Sequence, residues 1–151
     1  LRRADVDLPV LHMLAETARF IQQVHPRVRR IGLLSTTGTR LTNIYPRLLQ
    51  SRATMIVQVG EDRQAEVQEG IYDREWGIKA VSPVTGRARE RMLAMVRLLI
   101  DQGAELVILG CTEIPLALPE RDFAGVPFVD PVEILARALI REAAPEKLKP
   151  L

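Results

Sequence analysis

Apolar positions along the chain fall into two alternating patterns. Val28 to Leu34, with IGLL at its centre, and Glu105 to Leu109 are short, nearly continuous apolar runs, the pattern of strands covered on both faces. Ala53 to Val59 and Val126 to Val129 are further strand candidates, and Leu8 to Leu11 is a very short one. Between these runs the apolar residues recur at three and four. Pro9 to Val24 does so through Leu11, Leu14, Ala15, Ala18, Ile21 and Val24, until Pro26 stops it. A helix is predicted from about Leu41 to Ser51, with Leu41, Ile44, Leu48 and Leu49 inward and Pro46 making its start or register irregular. Glu61 to Tyr72 follows, with Ala65, Val67, Gly70 and Ile71 as its less polar positions. The segment from Asp73 to Lys79 is a connection of no assigned shape, with Trp76 packing under it.

The clearest helix is Val84 to Gln102, carrying Ala88, Met92, Met95, Val96, Leu99 and Ile100 and closed by Gly103. A short helix near Ile114 to Leu118 precedes the last strand. Pro131 to Glu142 then starts on Asp130 as N-cap with proline in the first turn, and the tail PEKLKPL is expected to fray. Strands alternating with helices of this length predict an α/β fold, a parallel sheet flanked by helices. No internal repeat or low-complexity linker interrupts it.

Composition narrows the function classes. The chain has 151 residues, 47% hydrophobic and 26% charged, enough for one ordinary domain with its own core. Its net charge is only +2, and the tight basic pairs Arg2-Arg3 and Arg29-Arg30 have no aromatic residues among them, so nucleic acid is not an expected partner. No apolar run approaches the roughly 18 residues of a membrane span. A single cysteine cannot close an intramolecular disulfide, which fits a reducing cytoplasm. His12 and His25 have no third partner in view, so no metal is expected.

Candidate chemistry gathers at two strand ends. The loops at the carboxyl ends of parallel strands share one edge, so STTGT (35 to 39) and GCTE (110 to 113) can face a common crevice. Both join a glycine to hydroxyl residues at a helix start, where free N–H groups suit a carboxylate and the local field favours a thiolate. Plainer readings stand beside these. Cys111 is equally readable as a small apolar filler, STTGT as N-capping, and Glu113 as a first-turn acid facing the helix dipole.

GCTEIPLAL, taken with LLSTTGT, IYPRLL and IYDREWGIKA, resembles the aspartate/glutamate racemase family. The match runs in order from PVLHM to VDPVEILARA. The resemblance implies two similar α/β lobes around an active site with one cysteine from each. One thiolate removes the α-proton and the opposite thiol supplies a proton, without pyridoxal phosphate, metal or any other cofactor. Cys111 then matches the second-lobe cysteine. Thr112, Thr36, Gly38 and Thr39 match substrate-binding positions. Lys79 matches a basic residue that neutralises an acidic side chain or tunes a thiolate, and Glu113 completes the substrate-binding set.

The segment carrying the family's first cysteine, which lies shortly before the PVLHM region, has no counterpart in this sequence. The chain also opens on LRRADVDLPVLHM, with Asp5 to Pro9 reading as the approach to an element already inside a fold. The expectation is a fragment: residues 1–27 the end of a first lobe, 28–126 a second α/β lobe, and 127–151 a closing strand and helix returning toward the first. The implied activity is an amino-acid racemase acting on an amino acid or dicarboxylate, with this chain alone inactive. Arg40, Arg63 and Lys79 are candidates to meet an acidic side chain. Exposed apolar faces on Pro9 to Val24 and on the closing helix predict a homodimer. Two alternatives stay open: a one-cysteine decarboxylase or isomerase of the same superfamily, and an inactive carboxylate-binding or assembly module.

Overall fold

The computed structural model describes residues 10–49 and 54–150. Leu8 and Ala53, where two predicted strands begin, lie outside this range, as do Ser51 and the Asp5 to Pro9 run; the described end of the first, Val10 and Leu11, forms no strand. Five strands form one sheet: β1 (Arg30–Ser35), β2 (Met55–Val57), β3 (Leu106–Gly110), β4 (Asp122–Phe123) and β5 (Val126–Val129). Their order is β2-β1-β3-β5-β4, parallel except for the last pair. Around them lie α1 (Met13–Val24), α2 (Thr37–Thr42), α3 (Ile44–Leu49), α4 (Glu61–Tyr72), α5 (Gly86–Asp101), α6 (Ile114–Ala117) and α7 (Pro131–Ala143).

The near-continuous apolar runs have a direct cause, because both faces of the sheet are covered. Ile31, Leu33, Leu106 and Ile108 pack with Ala18 and Ile21 of α1, Tyr45 and Leu49 of α3, and Ile134 of α7. Leu34, Val57, Val107 and Leu109 face the other way, onto α4, α5 and α6 through Val67, Ile71, Met92, Leu99 and Ile114. A strand with both faces buried has no polar alternation to show. Gly32 lets α5 lie close, since a Cβ there would come within 3.3 Å of Leu99 Cβ.

Three elements depart from the sequence reading. The helix predicted from Leu41 to Ser51 is two short helices, separated by Asn43 in the left-handed conformation (φ 52°). That break shifts the helical phase, so Leu41 is 79% exposed and Tyr45 is buried in its place. The antiparallel β4 was not expected. It forms a hairpin with β5 through Ala124 (φ 52°) and Gly125 (φ 78°), two positive φ values that match a type I′ turn. Finally, the described tail is tied down: Pro145–Lys147 is a 3-10 turn, and the Arg137 guanidinium donates to the Lys149 carbonyl at 2.9 Å. Among the described residues no helix is long and apolar enough to cross a membrane.

Candidate active site

The order β2-β1-β3 puts the switch point between β1 and β3. From β1 the chain reaches β2 through α3 on one face, and from β2 it reaches β3 through α4 and α5 on the other. Loops diverge above such a point and leave a crevice. The register pairs Ser35 with Gly110, so STTGT and GCTE start side by side. Gly110 permits that closeness, because a Cβ on it would fall 2.8 Å from Leu33 Cδ1 and 3.0 Å from Ser35 Cβ.

Four of the predicted site residues form one network. The Cys111 thiol donates to Glu113 Oε2 at 2.9 Å, and the Thr112 hydroxyl donates to the same oxygen at 2.9 Å. Lys79 Nζ holds the other oxygen, Oε1, at 3.1 Å. Lys79 is brought there from the turns that follow α4, with its ammonium also 4.9 Å from the centre of the Tyr72 ring. Glu113 stands at the N-cap of α6, yet its side chain makes no capping bond. Its carboxylate serves the thiol and the lysine instead of the helix.

Electrostatics in this group overturn one expectation. A helix-start field was expected to favour a thiolate at Cys111, but its pKa is raised to about 11. Burial is the largest cause, followed by the hydrogen bond to Glu113, and α6 is only four residues long, too short for a substantial dipole. Glu113 moves the opposite way, to about 2, because its carboxylate accepts from Cys111, Lys79 and Thr112. The Lys79 pKa is raised, mainly through its bond to Glu113. The resting site therefore holds a neutral thiol against an ion pair.

Thr36, Gly38 and Thr39 lie in the neighbouring loop. Thr36 is the N-cap of α2, accepting from the Thr39 amide at 3.3 Å, and the two hydroxyls are 3.2 Å apart. Gly38 and Thr39 line a depression of about 350 Å³ with Met13, Tyr45 and Gly110. Cys111 and Thr112 line a cavity of about 60 Å³ that shares the same three residues. The two loops are thus adjacent, with Tyr45, Met13 and Gly110 as their common wall.

The remaining candidates have structural work elsewhere. Arg40 Nη1 donates to the Val59 carbonyl at 2.6 Å, and Arg63 pairs with Glu66 at 2.6 Å, so of the three cations considered only Lys79 reaches the thiol group. His12 is the N-cap of α1, its Nδ1 accepting from Ala15 N at 3.3 Å, and His25 is the C-cap. Among the described residues no three His, Cys, Asp or Glu side chains cluster as metal ligands. Tyr45 was missed by sequence reasoning. Its signal was Asn43, a residue that tolerates the left-handed conformation and so marks a place where one helix can stop and another start.

A mostly parallel sheet with a lone thiol at its switch point defines a doubly wound α/β protein with its candidate chemistry between the ends of β1 and β3. Residues 1–139 match the Asp/Glu/hydantoin racemase family model, and the chain belongs to that family. Among curated proteins it is 32% identical over 123 residues to an uncharacterized protein of the pnlA 3′ region in Pectobacterium carotovorum subsp. carotovorum, covering 77% of this chain and 74% of that one. Among solved structures it resembles a Yersinia pestis protein assigned as an Asp/Glu racemase (TM-score 0.74, 29% identity, 90% of this chain). It also resembles the aspartate racemase of Picrophilus torridus (0.72, 26%, 88%) and an aspartate racemase homologue of Pyrococcus horikoshii OT3 (0.69, 27%, 92%). The matched stretch spans 56%, 52% and 58% of those three chains, respectively.

Proposed function

We propose that Cys111 is one of two acid/base groups of a cofactor-independent amino-acid racemase, and that this chain furnishes one side of its site. The observation that carries the reading is the Cys111–Glu113–Lys79 network at the switch point of a racemase-family fold. Racemisation passes through a planar carbanion, and a group that has taken the proton from one face cannot readily return it to the other. Two groups on opposite faces are required. With its pKa near 11, Cys111 is protonated at rest and is the group that delivers a proton; the thiolate it leaves is the base for the reverse direction. Lys79 offsets the negative charge that appears on sulfur. A substrate carboxylate is held by the Thr112 hydroxyl and by the Thr36, Gly38 and Thr39 loop, and Lys79 faces an acidic side chain, which makes aspartate or glutamate the substrate class.

The solved relatives extend well beyond the stretch matched here, and we place the second acid/base group in a part of them that has no counterpart in this sequence. Residues 1–27 and 127–151 then lie toward that lobe; their α1 and α7 pack on each other, while β5 also pairs into, and both helices also pack on, the sheet formed by residues 28–126. The test is exchange of the Cα hydrogen of aspartate and glutamate in D2O, with chiral analysis of the product. In the full gene product, Cys111→Ser is expected to lower racemisation by about 10²-fold or more. The 151-residue chain alone is expected to stay at background. Near-normal turnover by Cys111→Ser would sink the assignment.

A protonated thiol held by a carboxylate, as the Cys111–Glu113 hydrogen bond provides, is also what a one-cysteine decarboxylase or isomerase of the same superfamily needs. Carbon dioxide release from a substituted malonate, without inversion of any amino acid, would establish it.

A further inference from the structure

The space around the thiol is divided in a way that the proposed reaction has to overcome. The cavity at Cys111, about 60 Å³, has room for only about two water molecules. The depression at Gly38 and Thr39, about 350 Å³, falls in the size range of ligand pockets. On the racemase reading, the second space is large enough for an amino acid and the first is not. The residues between are Met13, Tyr45 and Gly110, and of these only Tyr45 carries a polar side-chain group.

Tyr45 is fixed there by the fold. The left-handed turn at Asn43 ends α2 and starts α3 in a new phase, which points residue 45 inward, where it is 3% exposed. Its ring packs with Ile31, Leu33 and Leu49. Its hydroxyl bonds to no other described residue, whereas every fully buried side-chain nitrogen or oxygen among the described residues is paired. The residue lines both the Cys111 cavity and the Thr39 depression. A buried phenol near the Asp130 carboxylate also stays protonated, its pKa pushed up to about 12, so it is a donor at any physiological pH.

We propose that Tyr45 is a substrate-contacting residue of this site, donating a hydrogen bond from the wall between the Cys111 cavity and the Thr39 depression to a carboxylate of the amino-acid substrate. This rests on the racemase reading and adds to it a recognition group from α3. The bond fixes the substrate at the boundary between the two spaces, the position from which its Cα faces sulfur.

The test uses Cys111 of the full gene product as its own probe, read on the peptide that carries it. Iodoacetamide alkylation of Cys111 is followed by mass, and L-aspartate, D-aspartate and succinate are titrated as protectants. Wild type is expected to be protected. Tyr45→Phe, which keeps the ring and loses only the hydroxyl, is expected to need about tenfold more protectant or greater, with an unchanged alkylation rate in its absence and an unchanged melting temperature. Equal protection of wild type and Tyr45→Phe overturns the role of Tyr45 and leaves the racemase reading standing. A wild type that none of the three protects overturns both. A Tyr45→Phe chain with an altered unliganded rate and melting temperature, and protection restored once those are allowed for, makes the residue structural and overturns the proposal.

Discussion

At the scale of single residues, the site is governed by which proton is where. Glu113 accepts from the thiol and carries the negative charge, and both effects favour the neutral form of Cys111. Removing that charge with Glu113→Gln therefore lowers the thiol pKa and increases the thiolate fraction at pH 8. A thiolate of lower pKa is also a weaker nucleophile, so the gain in alkylation rate is about three- to fourfold per pKa unit rather than tenfold. Lys79→Met is expected to act in the opposite sense, because its positive charge draws the Cys111 pKa down. Alkylation rates measured from pH 7 to pH 11 check both; a Glu113→Gln variant slower than wild type at pH 8 would contradict the arrangement. Much of this network was legible in GCTE and in Lys79. The direction of the cysteine shift was not, since it depends on burial and on where a carboxylate two residues away turns its side chain.

At the scale of elements, apolar periodicity located every long helix and the four principal strands, because each buries a continuous face. It failed where the chain changes phase or an element is too short to have a period. A single helix was expected across Asn43, and the two-residue β4 carries no alternation at all. Its turn uses Ala124 at φ 52°, a conformation unfavourable for any residue with a Cβ, in place of the asparagine or aspartate that usually signals such a hairpin. The close approach of β1 and β3 is equally invisible from periodicity, and it rests on Gly110. Gly110→Ala is expected to destabilise the fold by about 1–3 kcal/mol through overpacking against Leu33 and Ser35, and to slow or speed alkylation of the adjacent Cys111 as the strand ends shift. Urea unfolding of the variant, with no loss of midpoint, would show that the two strands have slack there.

At the scale of the whole molecule, the family and its fold follow from sequence and structure together, while the surface carries a separate question. Val132, Leu139 and Ile140 leave apolar side chains of α7 in solvent, with Leu139 53% exposed, although α7 also packs on α1 and the sheet. The homodimer expected from the sequence would use such a face, since two-fold pairing needs a self-complementary patch. Light scattering over a concentration series is expected to show a dimer for wild type and a monomer for Leu139→Glu. A wild type that stays monomeric at high concentration removes the contact.

Trp76 closes the turn that leads to Lys79. Its amide donates to Asp73 Oδ1 at 3.0 Å, its carbonyl accepts from the Thr85 hydroxyl at 2.8 Å, and the Arg87 guanidinium lies 4.1 Å from its ring centre. It is the chain's single tryptophan, nearly buried and three residues from the lysine that meets Glu113. Its fluorescence is thus an optical signal from one defined place. A ligand that drew Lys79 away from Glu113 is expected to change this emission, whereas any association through α7, which packs on the opposite face of the sheet, is expected to leave it unchanged.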